Sequence, residues 1–234
     1  MKQHLKNTFL LLPIAASLPV QAQEKSESPN LVFIMADQWR GDALGCLGKE
    51  PVQTPHLDRL ASEGVLFTNA VSCYPVSSPA RGILMSGMYP MNNKVIGNCN
   101  SDTAPYGVEL PETARCWSDV LKDKNYRTGY VGKWHLESLP TGFDHWEILP
   151  GQGDYYNPDF IRQTGDTVRC EGYITNIITD KSIEWLEHGR DPEKPFCLVV
   201  HHKAQHRNWM ADTCDLALFE DRTFPVPETF YDDY

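Results

Sequence analysis

The chain has 234 residues, 41% of them hydrophobic and 22% charged, which suits one good-sized globular domain with its own core. Its formal net charge of −10 argues against nucleic acid or an anionic membrane surface as a partner. An anionic substrate would therefore need a locally basic pocket. The seven cysteines have no spacing typical of a metal site. We expect most of them to be buried thiols, and the sequence leaves open whether two of them form a disulfide.

The first residues have the pattern of a secretory signal peptide. Lys2 and Lys6 precede the apolar run TFLLLPIAASLPV, and VQA supplies a small-residue cleavage site. A basic start, a short apolar segment and an A-x-A-like site are typical of export, and the run is too short to span a bilayer comfortably. No cysteine for a lipid anchor lies near the cleavage site. We therefore predict a signal peptide over residues 1–22, a mature domain over 23–234, and a periplasmic or extracellular location.

Short apolar runs alternate with amphipathic segments along the rest of the chain. TPHLDRLASEG, ARCWSDVLKDKN and TNIITDKSIEWLEHG have the periodicity and end signals of helices. The first apolar run, LVFIMA, reads as a strand buried on both faces of a parallel sheet. The alternation predicts a layered α/β domain. The predicted strands are LVFIMA, VLFTNAVS, YRTGYVGKW and PFCLVVHH.

Polar residues follow the predicted strands directly. Asp37 and Gln38 come after the first strand, where two oxygen-bearing side chains can reach a hard cation such as Ca²⁺ or can simply form a turn. Lys133 and His135 end another strand and offer a charge for an oxyanion and proton transfer near neutral pH. His206 lies in the run HHKAQHR, which is either a solvated basic loop or part of a site. Open α/β sheets form their sites at such strand ends.

The stretch CYPVSSPARGILMSG holds two candidates for one reactive residue. Cys73 and Ser77 each stand two residues before a proline. Only in the Ser77 register is that proline followed two residues later by a cation, Arg81. Pro79 fits the first turn of a helix, whose exposed N–H groups attract negative charge. From these residues alone, Ser77 is either a reactive oxygen facing an anionic substrate or an ordinary helix cap.

Together these motifs resemble the sulfatase family of the alkaline phosphatase superfamily. That family's signature is Cys or Ser, any residue, Pro, any residue and Arg, followed after three residues by Leu/Met-Thr/Ser-Gly. Only the Ser77 register satisfies it, so Cys73 is expected to be packed rather than catalytic. The segments NLVFIMADQWRGDALGCLG, GKWHLE, GQGDYYNPDFI and HHKAQHRNW extend the resemblance, which is strongest to bacterial glycan sulfatases of the N-acetylglucosamine-6-O-sulfatase type.

The resemblance implies an alkaline phosphatase-like fold, with a mostly parallel sheet flanked by helices on both faces. It also implies that a maturase oxidises Ser77 to formylglycine (3-oxoalanine), the serine-type form of the family. The hydrated aldehyde would attack sulfur and then release sulfate by elimination, which splits hydrolysis into two easier steps. Asp37, Gln38 and residue 77 would be ligands of a Ca²⁺ ion.

The resemblance also implies roles for the basic residues. Arg81 and Lys133 would stabilise the hydrate and the sulfate oxygens, and His135 would help to deprotonate the hydrate. His206 would be the general acid for the leaving alcohol, and Lys133 and His206 would contact the substrate. The substrate would be a sulfated carbohydrate of glycosaminoglycans or mucins, such as N-acetylglucosamine-6-sulfate.

Members of the family continue beyond the point that corresponds to Tyr234, and supply a late Asp for the calcium site and a later substrate-facing Lys. The chain is therefore expected to be the N-terminal part of a sulfatase catalytic domain, truncated on its C-terminal side. Two alternatives stay open. One is a phosphate mono- or diester hydrolase that uses unmodified Ser77. The other is an inactive fragment with an incomplete metal site.

Overall fold

A computed structural model describes residues 28–99, 109–111 and 113–233; the predicted signal peptide lies outside the described residues. The described strands form one sheet, in the order β1–β6–β2–β3–β4–β5. The first four strands in this order are mutually parallel, and β4 and β5 pair antiparallel at one edge. The strands are β1 (Leu31–Met35), β2 (Arg127–Lys133), β3 (His145–Leu149), β4 (Asp159–Arg162), β5 (Thr167–Arg169) and β6 (Phe196–His201).

Helices lie on both faces of this sheet, as predicted. The helices that the sequence indicates near residues 54–64, 114–125 and 175–189 are all present. A π-helical turn, Trp185–Gly189, extends the last of them. The helices are α1 (Pro55–Glu63), α2 (Ser77–Ser86), α3 (Pro90–Asn93), α4 (Trp117–Asp123) and α5 (Ile174–Glu184), with short 3₁₀ turns at Gly45–Leu47, Thr213–Asp215 and Glu228–Tyr231.

Two hydrophobic clusters cover the opposite faces of the central strands. Val199 of β6 belongs to one cluster and Leu198 to the other, because successive side chains of a strand point to opposite faces. Met85 of α2 joins the first cluster, and Ile178 of α5 joins the second. All four side chains are buried, and each contributes about 1.5–3 kcal/mol through removal of apolar surface from water. β2 and β6 are therefore the rigid centre on which the strand ends are positioned.

The expectation that the first strand is buried on both faces is wrong. Val32 and Ile34 of β1 are 52% and 64% exposed. Within the described part of the chain, β1 pairs only with β6 and forms an edge of the sheet. An apolar run becomes buried on both faces only where helices cover both sides of the strand. Periodicity located this strand correctly but did not indicate its place in the sheet.

The segment after α1 also differs from expectation. Residues 65–72 form turns and extended loop instead of a strand, and Val65, Phe67 and Val71 are 79%, 79% and 88% exposed. Helix α1 forms where it was predicted, but Leu57 and Leu60 on its apolar face are exposed as well. Apolar periodicity shows that one face of a segment is suited to packing. Among the described residues, nothing covers the apolar face of α1.

Strands β3, β4 and β5 were not predicted from the sequence. Strands β4 and β5 form a hairpin whose turn contains Gly165 in the left-handed region, with φ of +88°. The dipeptide Gly165-Asp166, followed by the strand-like residues Thr167–Arg169, was a usable hairpin signal. Strand β3 adds Trp146 and Ile148 to the first cluster, and their alternation was a second signal.

The cysteines are less buried than expected. Cys99, Cys116 and Cys197 are buried, and Cys46 and Cys214 are exposed. Cysteines 46, 73, 116, 170, 197 and 214 are thiols, so the disulfide that the sequence left open is not formed among them. Cys73 is also exposed, which corrects the expectation that its side chain is packed.

An ion pair joins α5 to the middle of the sheet. Lys181 Nζ lies 2.6 Å from Glu147 Oε2, and His145 Nε2 lies 3.6 Å from Glu147 Oε1. Interaction with His145, and then with Lys181, lowers the pKa of Glu147 from 4.5 to about 2, against the effect of burial. A carboxyl whose folded pKa is depressed stabilises the protein above its unfolded pKa. This contribution is lost as the pH falls from about 4.5 towards 2.

We therefore expect Glu147→Gln to lower the free energy of unfolding at pH 7 by about 2 kcal/mol. The difference from the wild type should shrink as the pH is lowered from 4.5, because the wild-type carboxyl then protonates too. Urea unfolding at pH 7 and pH 3.5 measures both values. Glu187→Gln is the matched control, since Glu187 forms only an exposed pair with His188. An unchanged difference at the two pH values would contradict the prediction.

Candidate active site

The carboxyl ends of three parallel strands meet at one edge of the sheet. Met35 of β1 and Gly132 of β2 both pair with His201 of β6. Asp37 follows β1, and Lys133 ends β2, so these two side chains approach from opposite sides of β6. Residues nearly a hundred positions apart in sequence therefore come into contact where open α/β sheets form their sites.

Helix α2 brings the candidate reactive residue to this edge. The helix begins at Ser77, whose Oγ lies 3.5 Å from Arg81 Nε and 3.4 Å from His135 Nδ1. The neighbouring Ser78 is buried, and its Oγ accepts a hydrogen bond from the backbone N–H of Cys99 at 3.1 Å. Ser78 thus anchors the start of the helix, whereas Ser77 faces the polar residues at the strand ends.

Three charged side chains are buried beside Ser77. Lys133, Arg81 and Asp37 are only 0%, 2% and 8% exposed. Lys133 Nζ forms a short ion pair with Asp37 Oδ2, and Arg81 Nη2 lies 3.7 Å from the same oxygen. Two cations therefore share one carboxylate. Buried charges must be paired to persist, and this group has one positive charge in excess.

The pKa values of the pair reflect this sharing. Burial lowers the pKa of Lys133 to about 8, helped by the Arg81 charge and opposed by Asp37. Burial alone would raise the pKa of Asp37, but the charges of Arg81 and Lys133 outweigh it and lower that pKa. The carboxylate is therefore ionised at neutral pH. The lysine is mostly protonated there and can bind an anion.

Gln152, from the loop after β3, connects Lys133 to His135. Lys133 Nζ donates to Gln152 Oε1 at 2.5 Å, and Gln152 Nε2 lies 3.4 Å from His135 Nε2. Because lysine only donates, the amide oxygen faces Lys133 and the amide N–H₂ faces the imidazole. His135 Nε2 therefore accepts, and the proton of the neutral ring sits on Nδ1, towards Ser77. Burial, with Lys133 and Arg81, lowers the pKa of His135 to about 4.

Gln38 and His206 lie on two loops that touch each other. Gln38 Oε1 accepts a hydrogen bond from the backbone N–H of Arg207 at 3.2 Å. His206 Nδ1 donates to the Arg207 carbonyl at 2.7 Å, so Nε2 is the atom at which this ring titrates. Burial lowers the pKa of His206, with Arg207 opposing this effect and Lys133 adding to it. The side chain is thus within electrostatic range of Lys133 and Asp37.

Gln152 and Lys203 belong to the site but were not predicted from the sequence. Lys203 is 5% exposed, donates from Nζ to the Gln152 carbonyl at 3.1 Å and lies over the Tyr155 ring at 4.8 Å. Gln152 was missed because β3 was missed, since the rule that sites follow parallel strands would otherwise have indicated its loop. Lys203 stands within the basic run that was noticed, but its burial could not be read from the sequence.

The calcium ligands that the family resemblance implies are fewer than the ion requires. Asp37, Gln38 and Ser77 offer one carboxylate, one amide oxygen and one hydroxyl, whereas Ca²⁺ takes roughly 6–8 oxygen ligands. Asp37 is held by two cations, and Gln38 already accepts a hydrogen bond. Among the described residues, no three His, Cys, Asp or Glu side chains are grouped as metal ligands. These residues alone therefore do not fit a complete calcium site.

The fold and the site define an α/β protein with a basic, buried centre at the start of a helix. The sulfatase family model matches residues 29–224, so the chain belongs to the sulfatase family. It is 40% identical over 232 residues to an N-acetylglucosamine-6-O-sulfatase of Bacteroides thetaiotaomicron, covering 96% of this chain and 40% of that protein. It is 35% identical over 198 residues to an ulvan-active sulfatase of Formosa agariphila, covering 80% and 37%.

A solved structure of a protein in complex with its substrate D-glucosamine-2-N,6-O-disulfate is also similar. The TM-score is 0.80 at 40% identity, and the match covers 88% of this chain and 40% of that one. These neighbours agree with the predicted alkaline phosphatase-like fold. The chain spans about 40% of the length of these relatives. Within the described ranges, no helix is both long and apolar enough to cross a membrane.

Proposed function

We propose that the protein to which this chain belongs is a sulfuric ester hydrolase that removes sulfate from sulfated carbohydrates. One observation carries the proposal: Ser77 and Arg81 of α2 meet Lys133 and His135, which stand at the end of β2, at the same edge of the sheet. A hydroxyl at a helix N-terminus, two buried cations and a neutral histidine are what attack on an anionic ester requires. Family membership and named relatives support the same reaction.

The buried charges supply the anion site. Arg81 Nη2 is buried and has no hydrogen-bond partner among the described residues, and an unmade bond to a buried charged group is costly. A sulfate oxygen would complete it. Together with Lys133, which pairs with the same oxygen of Asp37, Arg81 would hold the equatorial oxygens of the ester and stabilise charge that develops during transfer.

Residue 77 would supply the nucleophile. Converted by a maturase to formylglycine and hydrated, it would offer an oxygen that attacks sulfur. His135 is neutral at neutral pH because its pKa is about 4, so it is available to exchange a proton with residue 77. In the present arrangement Nδ1 of His135 carries the proton. For Nδ1 to accept a proton from residue 77, the ring proton must move to Nε2, which requires the hydrogen bond from Gln152 to Nε2 to break. Gln152 would therefore set the tautomer of His135.

His206 would protonate the leaving alcohol. The hydrogen bond from Nδ1 to the Arg207 carbonyl leaves Nε2 to carry the transferable proton. The pKa of the free imidazole is lowered by burial, which disfavours the acid form. A bound sulfate monoester would bring a negative charge close to the ring and raise that pKa again. Lys133 and His206 would then both contact the substrate.

Calcium would bind partly through this chain. Asp37, Gln38 and residue 77 would be its ligands here, and the remaining oxygen ligands would come from parts of the protein beyond the described residues. The cation would supply charge that holds residue 77 and the sulfate in place. The partial donor set at the end of β1 supports this assignment, because Arg81 contacts both Asp37 and Ser77.

The relatives narrow the substrate class. The N-acetylglucosamine-6-O-sulfatase and the protein bound to D-glucosamine-2-N,6-O-disulfate point to a hexosamine 6-sulfate of glycosaminoglycans or mucins. We place the protein outside the cytoplasm, in the periplasm or the extracellular space, because the predicted signal peptide over residues 1–22 would export it. The maturase that acts on Ser77 would be its other partner.

The test uses the complete protein, produced with and without a serine-type maturase, in calcium-containing and calcium-free buffer. Mass spectrometry of the tryptic peptide ending at Arg81 reports whether Ser77 has lost two hydrogens. Sulfate release from N-acetylglucosamine-6-sulfate is compared with phosphate release from N-acetylglucosamine-6-phosphate. We expect conversion of Ser77 together with calcium-dependent sulfate release.

The matched phosphate ester separates the two enzyme classes. Rapid phosphate release by protein whose Ser77 is unmodified would replace the sulfatase proposal with a phosphoester hydrolase. The absence of either release from converted, calcium-loaded protein on a panel of sulfated hexosamines would indicate a protein without catalytic function.

A further inference from the structure

His201 ends β6 directly beneath the candidate active site, and the proposed reaction gives it no role. It is 1% exposed, and its ring lies edge-on to Tyr130 and Phe33, with centroids 5.0 Å and 5.6 Å away. Its Nδ1 lies 3.0 Å from Arg81 Nη1 and 2.5 Å from the Tyr130 hydroxyl. The imidazole therefore contacts the buried guanidinium at Nη1, whereas Ser77 Oγ lies 3.5 Å from Nε of the same group.

The protonation state of this ring follows from its neighbours. Arginine is always protonated and can only donate hydrogen bonds, so His201 Nδ1 must accept from Arg81. The single proton of the neutral ring is then on Nε2, which is buried and without a partner among the described residues. Burial and the Arg81 charge hold the pKa of His201 well below its usual range, which agrees with a neutral ring.

An unpaired Nε2–H in a buried position is costly. His201 carries this unpaired proton because its Nδ1 accepts the hydrogen bond from Arg81. Arg81 Nη1 also donates to the Lys133 carbonyl at 2.5 Å. The Tyr130 hydroxyl lies 2.7 Å from that carbonyl and 2.5 Å from His201 Nδ1, which are both acceptors for its single proton. Two acceptors on two different strands thus fix Nη1, and the plane of the guanidinium is determined. Nη2, which has no hydrogen-bond partner, is left directed away from them.

We infer that His201 is a positioning residue that fixes the guanidinium of Arg81 so that Nη2 meets the sulfate group. The inference rests on the proposed function, because it takes Arg81 as a contact of the substrate. A planar guanidinium held at one edge presents its remaining donors in a fixed direction, and such preorganisation strengthens anion binding and catalysis. His201 acts through Arg81 and does not touch the substrate.

The test is a double-mutant cycle in the complete, matured protein. His201→Leu removes the acceptor, and His201→Asn keeps an acceptor oxygen near the position of Nδ1. Both are made in the wild-type background and with Arg81→Lys. Affinity for inorganic sulfate is measured by calorimetry, kcat/KM with N-acetylglucosamine-6-sulfate, and the thermal unfolding midpoint by circular dichroism.

We expect His201→Leu to weaken sulfate binding and to lower kcat/KM by about tenfold or more, and His201→Asn to restore most of both. With Arg81→Lys, His201→Leu should have little further effect, because its route to the anion has been removed. Equal losses in both backgrounds, no rescue by asparagine, or no binding of sulfate by the wild type would overturn the inference. Sulfate binding that shows this pattern without any ester hydrolysis would overturn the proposed function alone.

Discussion

Ser77→Ala is expected to abolish hydrolysis of a sulfated hexosamine, with kcat reduced on the order of 10³-fold or more. The substitution removes the only oxygen that lies within 3.5 Å of both Arg81 Nε and His135 Nδ1 among the contacts of the described residues. Arg81 and Lys133 remain, so the affinity for inorganic sulfate should change little. Initial-rate kinetics and sulfate calorimetry on the same preparation separate the two effects.

Cys73→Ala is the matched control for the alternative register. Cys73 is exposed, and the variant should retain the activity and the unfolding midpoint of the wild type. Loss of activity in Cys73→Ala, together with normal activity in Ser77→Ala, would show that the reactive residue had been assigned to the wrong register. The unfolding midpoint of Ser77→Ala should stay close to that of the wild type, because the start of α2 is anchored by Ser78.

Gly132→Ala is expected to prevent folding. The residue lies in β2 with φ of +111°, and an added Cβ would lie 2.0 Å from the carbonyl oxygen of His201. Positive φ alone costs roughly 1–2 kcal/mol for a residue with a side chain. The clash is with backbone of the central strand β6, which cannot move without breaking the sheet. A total above about 4 kcal/mol would consume most of the stability of a typical domain.

Gly165→Ala is the comparison, because Gly165 also has positive φ but nothing lies within 4 Å of its added Cβ. We expect a loss of about 1 kcal/mol there and normal soluble yield. Soluble expression and thermal unfolding by circular dichroism measure both variants. A soluble Gly132→Ala protein with a wild-type midpoint would show that β2 and β6 are not as closely apposed as the structure indicates.

Much of the fold could be predicted from local patterns. The helices at α1, α4 and α5 and the strands β1, β2 and β6 lie where periodicity and end signals indicated. Short strands were harder to find, because β4 and β5 have four and three residues and too few positions to establish a period. The exposure of β1 was unpredictable for a different reason: burial depends on the neighbours of a strand, and no local pattern reports them.

Some residues of the candidate site could also be predicted from local sequence patterns. Asp37, Lys133 and His135 were found because each stands at or just after the end of a recognisable strand. Ser77 was chosen over Cys73 because only its spacing includes Arg81. Those are statements about neighbours along the chain. Local sequence therefore determined which chemistry-bearing residues stand at strand and helix ends.

The tertiary structure alone decided how those ends meet. Gln152 enters the site because β3 lies beside β2, and Lys203 is buried because its loop folds against Tyr155. His201 reads as one member of a basic run, yet the pairing of β6 between β1 and β2 turns it inward onto Arg81. Contacts between residues distant in sequence depend on sheet order and register. These follow from the packing of the whole domain, which no short segment contains.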